Sequence, residues 1–422
     1  MPYKRVRGGV CAPKGFLGST AQCGIKHPKS KRKDLALIYS EIPCTSAGTF
    51  TTNRVKAAPV KLTQTRLRSV NLRAIVANSG NANACTGVKG IADARIMCET
   101  VARSLRLKPR EVGVCSTGVI GLPLPMDRIR PRLEQLAGDL DRKNGRAVAE
   151  AIMTSDTTIK ELALSTELDG HKVRFGACAK GAGMICPSMA TMLCFVTTDA
   201  SIGKSCLQKI LLETVEGSFN RICIDGDMST NDTVLVLANG ASGGPRIARN
   251  TRTARQFRDA LQYLLLTLAK AIVQDGEHVT KFITLDVRGA ATYFDAKKVA
   301  EAVGRSALVK SSWNGSDPNW GRIIHAIGYS RARIREEFVD ILYNGMPACV
   351  GGLRADTPLG ELRAVAAKDH FTITINLHQG HADYTLYTSD ISPEYIDFNR
   401  TEYAAWKHAG IAEHQRGKPR TG

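Results

Sequence analysis

No CxxC pair occurs anywhere in the chain, although it carries twelve cysteines. They stand singly, several of them inside apolar runs (Cys98, Cys194, Cys206, Cys223), which is the distribution of reduced core thiols rather than of a disulfide framework or a zinc cage. His378 and His381 form an HxxH, but they close the alternating segment FTITINLH and read as a solvated strand end, so no metal is expected. Aromatic residues make up only 6% of the sequence. None interleaves the basic clusters at Lys29 to Lys33, at Arg103 to Arg110 or in the C-terminal tail, and single-stranded nucleic acid is held on aromatic stacking platforms. The net charge of +19 therefore points less to nucleic acid than to a basic surface that draws in small anionic metabolites. No apolar run reaches the length of a bilayer: LQYLLLTLAKAIV, from Leu261 to Val273, is broken by Lys270 and reads as a buried helix. The opening residues, MPYKRVRGGVCAPKG, lack the apolar core of a signal peptide and the amphipathic pattern of a transit peptide, which leads to the expectation of a cytoplasmic protein.

What is present is ample material for a core, 43% hydrophobic residues in 422, enough for one large or two medium domains. Strand-like runs recur: LALIYSE from Leu35, LRAIVAN from Leu72, TMLCFVTT from Thr191, TVLVLANG from Thr233 and KFITLDVRG from Lys281. Between several of them lie segments with apolar residues at three- and four-residue spacing: IADARIMCETVARSLRL from Ile91, GRAVAEAIM from Gly145, CLQKILLETVEGSF from Cys206 and RQFRDALQYLLLTLAKAI from Arg255. The class is α/β. No repeat period emerges, and only the polar, basic stretch from about Lys407 onward reads as disordered.

Three loop-like segments invite a chemical reading. GAGMIC fails as a dinucleotide fingerprint, because the third glycine of G-x-G-x-x-G would fall at Cys186. DGDMSTND, from Asp225 to Asp232, resembles the start of a calcium loop, yet Thr230 stands where glycine is needed and Val236 where a glutamate should close it. It reads as a polar turn into the strand TVLVLANG. NSGNANACTG, from Asn78 to Gly87, follows a strand directly and is either a plain turn or a tight loop lining a site, as strand-end loops in α/β folds often do.

The segment KGAGMICPSMATMLCF, from Lys180 to Phe195, sets Thr191 at the junction of a glycine-rich loop and an apolar strand. A threonine opening a strand is common. The same placement also suits an N-terminal nucleophile: Thr191 Oγ1 attacks the Ala190 carbonyl, the ester hydrolyses, and the freed α-amino group serves as base for its own hydroxyl. Such an amine titrates near ~8, and a neighbouring Lys180 cation lowers it further.

KGAGMICPSMATML closely resembles the cleavage signature of the ornithine acetyltransferase family, the bifunctional glutamate N-acetyltransferases of the arginine pathway. GGVCAPKGF, KRKDLALI, NSGNANACTG, STGVIGLPLPM, MTSDT, SFNRICIDGDMSTNDTVLVLANG, DGEHVTKF and SDPNWGRII resemble further family blocks, in the family's order over nearly the whole chain. The resemblance implies self-cleavage at Ala190–Thr191 into an α chain (1–190) and a β chain (191–422), and two stacked sheets flanked by helices, an αββα sandwich. It also implies a heterotetramer of two α and two β chains. The implied reaction is a ping-pong transfer of acetyl from N-acetylornithine to glutamate through an acetyl-threonine, with no cofactor. Acetyl-CoA is a further co-substrate for the bifunctional members only, and no residue here decides that point.

By the same resemblance Thr117 and Gly118 supply the oxyanion hole, and Thr154, Lys180, Thr191, Glu277 and Asn399 contact substrate. Three departures stand out: His278 follows Glu277 where the family has glycine, Ala182 replaces a frequent serine, and a tail continues to Gly422 where the family ends in a threonine. Two other readings compete. An amidase or aminopeptidase with an N-terminal nucleophile would use the same Thr191 but pass the acyl group to water. A basic nucleic-acid-binding protein is the alternative from another class.

Overall fold

A computed structural model describes residues 3–186 and 192–400. Within them the apolar alternation seen in the sequence resolves into layers. Side chains of a strand point alternately to its two faces, so a strand buried throughout must be covered twice. Leu193–Thr198 is such a strand: Leu193 and Phe195 enter one core and Cys194 and Val196 another. Thr233–Ala238 runs parallel to it and divides likewise, Leu235 and Leu237 on one side, Val234 and Val236 on the other. Together with Lys4–Val6, Lys160–Leu168, His171–Lys180 and Thr45–Phe50 they form a six-stranded sheet.

A second sheet of four strands, Phe16–Ala21, Leu35–Ser40, Ala74–Asn78 and Val112–Ser116, stacks on the first. Ala36, Ile38, Ile75 and Ala77 share a core with Leu193, Phe195, Leu235 and Leu237. The outer face of the second sheet, Leu35, Leu37, Val76 and Val114, is covered by the helices Gly87–Leu105 and Met126–Leu136. The outer face of the first is covered by Lys204–Glu216 and Arg252–Gln274. The order of layers is helix, sheet, sheet, helix, the sandwich that the resemblance implies.

A third sheet lies outside that expectation. Its seven strands run in the order Ile222–Cys223, Ala382–Ser389, Phe282–Ala290, His370–Asn376, Asp340–Tyr343, Met346–Val350, Leu353–Arg354. It builds a separate core with Val299, Val303, Trp313 and Ile327 from three further helices. The HxxH segment leaves this sheet at its surface, where His378 Nε2 meets Asp340 Oδ2 at 2.7 Å. Eleven of the twelve cysteines are buried and all are free.

Two details of chain geometry place the site. The helix Arg252–Gln274 starts where Thr251 Oγ1 accepts the Ala254 N–H at 3.0 Å, and the first residue beyond its other end is Asp275. The strand His171–Lys180 pairs antiparallel with Leu193–Thr198, Lys180 opposite Leu193. The twelve residues between that last pair, which include Ala190 and Thr191, therefore leave and return at one edge of the sandwich. Ala190 and Thr191 themselves lie outside the described residues.

Candidate active site

At that edge the two loops read separately from sequence are locked together. Thr117 follows the strand Val112–Ser116 and its N–H donates to Asn78 O at 3.0 Å. Ser116 Oγ donates to Asn78 Oδ1 at 2.6 Å, and Asn231 Nδ2 donates to both Ala82 O and Ser116 O at 2.7 Å. The amide-rich segment is thus the tight, site-lining loop, its side chains occupied with backbone that no strand pairs. Gly118 has φ +131, and a Cβ there would stand 2.3 Å from the Gly80 carbonyl carbon. Only glycine suits that position.

Lys180 ends its strand buried, with Nζ 3.3 Å from Thr117 Oγ1. Burial lowers its pKa below the ordinary lysine value, against the pull of the Asp156 carboxylate. Asp156 accepts the Gly181 N–H at 2.7 Å and Lys160 Nζ at 2.8 Å, while Lys160 also pairs with Asp275. Burial acts to raise the Asp156 carboxyl, but Lys180, Lys160 and the Gly181 N–H outweigh it and hold the group at about 2. The result is a charged floor beneath the site that stays ionised.

Glu277 arrives from the turn after Asp275, its N–H donating to Ala182 O at 2.9 Å. Its carboxylate lies so close to Gly183 that a Cβ there would be 2.6 Å from Oε1. Asn399, on the helix Pro393–Asn399, donates to Glu277 Oε2 at 3.2 Å. His278, the departure from the family pattern, has φ +52 and sets its ring against Phe398 at 5.3 Å. Thr154 O accepts from Arg32 Nη1 at 3.1 Å. Thr117, Gly118, Thr154, Lys180, Glu277 and Asn399 all line one cavity of about 770 Å³, so six of the residues singled out in sequence converge. Thr191 falls outside the described residues and its place is not assigned.

Besides Asp156, two further carboxylates were missed. Asp225 and Asp232 read as parts of a polar turn, yet they hold the chain at Met184 and Ile185 and again at Met192. Asp225 accepts the N–H groups of Met184 at 2.6 Å, Ile185 at 2.9 Å and Asp227 at 3.0 Å, and burial pushes it up to about 6 despite them. Asp232 is fully buried; Oδ1 accepts the Met192 N–H at 2.9 Å, and Oδ2 has no hydrogen-bond partner among the described residues. Burial raises its pKa well above the carboxylate range, the Met192 N–H and Lys180 opposing. For Asp232 the available signal was an acid placed just before a strand that is apolar after its first residue, where it must be buried and partnered, though not by which group.

Residues 18–405 match the model of a protein family described as the ArgJ family. The chain belongs to the ArgJ family. Among its ArgJ relatives, the arginine biosynthesis bifunctional protein ArgJ of Symbiobacterium thermophilum is 47% identical over 396 residues, 93% of this chain and 98% of that one. Its namesake from Geobacter sulfurreducens is 45% identical over 390 residues, 92% of this chain and 98% of the relative. A solved structure of an ornithine acetyltransferase from Mycobacterium tuberculosis, complexed with ornithine, is 42% identical; it covers 44% of this chain and 98% of its own, with a TM-score of 0.41. Like its ArgJ relatives, the chain is an acyltransferase of arginine biosynthesis.

Proposed function

We propose that the protein moves the acetyl group of N2-acetyl-L-ornithine to L-glutamate through an acetyl-Thr191 intermediate, after cutting itself between Ala190 and Thr191. The observation that carries the reading is the Lys180–Thr117 contact at 3.3 Å in the wall of the shared cavity. Lys180 has no lone pair to spare as an ammonium and so donates to Thr117 Oγ1, which leaves the threonine O–H free to donate into the cavity. With the Gly118 N–H it forms a donor pair of the kind that stabilises an oxyanion.

The steps follow from the residue types. Thr191 Oγ1 adds to the acetyl carbonyl, negative charge gathers on its oxygen, and the C–N bond to ornithine breaks as the amine takes a proton. Glutamate then enters the same pocket, its amine bonds to the acetyl carbon, the ester C–O bond to Thr191 breaks, and the proton lost by the amine restores the Thr191 hydroxyl. Glu277, steadied by Asn399, suits the ammonium of the departing amino acid, and Thr154 offers a neutral contact. Lys180 was expected to contact substrate; its burial and its contact to Thr117 favour a role in orienting the oxyanion donor. A water molecule in place of glutamate would make the protein an amidase, and acetate release without acceptor measures that branch.

The relatives' printed designation, bifunctional, supports a second donor, acetyl-CoA. A cytoplasmic heterotetramer of α and β chains is part of the same proposal. Its first test is mass analysis of the purified protein. Two chains split at Thr191 are expected, and one uncut, inactive chain from Thr191→Ala; a Thr191→Ala protein cut at the same bond would refute the nucleophile.

A further inference from the structure

The basic cluster of the sequence that the acetyl exchange leaves unused lies at the mouth of this cavity. Lys26, Lys29, Lys31, Arg32 and Lys33, with His27 among them, fall within eight residues that contain no carboxylate. They form the excursion between the strands Phe16–Ala21 and Leu35–Ser40. The excursion is built rather than trailing. Asp34 closes it by accepting the N–H groups of Cys23 at 2.6 Å and Ile25 at 2.5 Å. Ser30 O accepts from Gln22 Nε2 at 2.5 Å, and Arg32 is tied across the cavity wall to Thr154 O. Lys26 rests on Gly80, where a Cβ would lie 3.0 Å from the Lys26 nitrogen, and Gly80 is also the residue that Gly118 abuts. Lys29, Lys31 and Lys33 are exposed, and no ion pair of the described residues engages them.

Lys26, His27, Ser30 and Arg32 line the same cavity as Thr117, Gly118 and Lys180. Its volume, about 770 Å³, is in the range that houses drug-sized molecules, whereas N-acetylornithine has only about a dozen non-hydrogen atoms. The charge is also of the wrong kind for amino acids. Each carries an ammonium beside its carboxylate and calls for both signs of charge side by side, whereas this run is of one sign. A run of cations whose adjoining acid, Asp34, is engaged by the Cys23 and Ile25 N–H groups suits an anion of several charges, and phosphate groups carry close to two each.

We infer that the 26–33 loop is the phosphate subsite of the second acetyl donor, a thioester on a long phosphorylated carrier, whose acyl end reaches Thr117 and Gly118 through the cavity. This inference rests on the acetyl-CoA part of the proposed function. In the step it serves, Thr191 Oγ1 bonds to the thioester carbonyl carbon, the C–S bond breaks, and the hydroxyl proton leaves with sulfur as a free thiol. No oxidant or further reactant is involved.

The experiment compares the whole protein with a Lys29→Glu/Lys31→Glu variant, both sites being exposed and outside the acetyl-transfer end. CoA binding is measured by calorimetry, and KM is measured for acetyl-CoA, for S-acetylpantetheine, which lacks phosphates, and for N-acetylornithine. Expected is roughly a tenfold weakening for CoA and acetyl-CoA, the size that two reversed surface charges reach, with the other two KM values unmoved. Undiminished CoA binding in the variant, equal losses for all substrates, or no CoA binding by the parent protein would each overturn the subsite. Charge-sensitive CoA binding without acetyl-CoA turnover would uphold the subsite and refute the donor reading, while transfer from N-acetylornithine reports the first activity independently.

Discussion

Thr117 receives a hydrogen bond and has one to give, which makes its hydroxyl an oriented donor before any substrate arrives. A donor aimed at charge that develops only during reaction acts on kcat rather than on binding. Thr117→Ala is therefore expected to lower kcat by ~10²–10³ with KM changed little; steady-state kinetics with N-acetylornithine checks it, and a pure KM effect would reassign the residue to binding. Asp225 adds a pH dependence. Its carboxyl, at about 6 in the folded protein, binds a proton more tightly there than in the unfolded chain, so its contribution to stability is complete below the ordinary carboxylate range and is lost as pH rises through about 6. Activity runs the other way. The ionised carboxylate is the stronger acceptor for the Met184 and Ile185 N–H groups, so kcat should rise through pH 6 as the loop tightens. Asp225→Asn should remove that limb and lower the plateau, since an amide has one acceptor oxygen where the carboxylate uses two. An acid limb unchanged in the variant would acquit Asp225.

Two glycines in different loops predict opposite kinds of damage. At Gly118 an added Cβ meets the backbone of Gly80 and Asn81, and φ is positive, so Gly118→Ala should cost a few kcal/mol, seen as a lower melting temperature as well as lost activity. At Gly183 the Cβ meets the end of the Glu277 side chain instead. Gly183→Ala should fold with nearly the parent melting temperature and raise KM by displacing Glu277. Elements of this kind show what a sequence can and cannot disclose. The strands Leu193–Thr198 and Thr233–Ala238 were legible because burial on both faces demands an unbroken apolar run. Thr45–Phe50 was not, since TSAGTF carries little apolar signal; it is a strand because Thr233–Ala238 offers it a pairing edge. The converging site residues were named through motifs, whereas Asp156, Asp225 and Asp232 were passed over. Their roles depend on which backbone N–H groups the fold brings to them, and no spacing encodes that. The three-sheet count was equally hidden: alternation marks each strand but not the sheet it joins.

At the scale of the whole molecule, the strand ending at Lys180 and the strand beginning at Leu193 lie side by side, paired over six residues from Phe175↔Thr198 to Lys180↔Leu193. Leu193–Thr198 is inserted between the strand before the proposed cut and Thr233–Ala238 after it. Either chain made alone would leave strands of a sheet interior without their neighbours and expose its share of two hydrophobic cores to water. Chains 1–190 and 191–422 expressed separately and mixed are expected to yield little or no acetyl transfer compared with the protein expressed whole; full activity on mixing would refute this. Under the proposed cut, the gene would encode something the mature enzyme no longer is. Peptide continuity would then act as a scaffold used once: it sets the order of the strands, the fold would retain that order without it, and a bond cut at Thr191 would record that assembly came first.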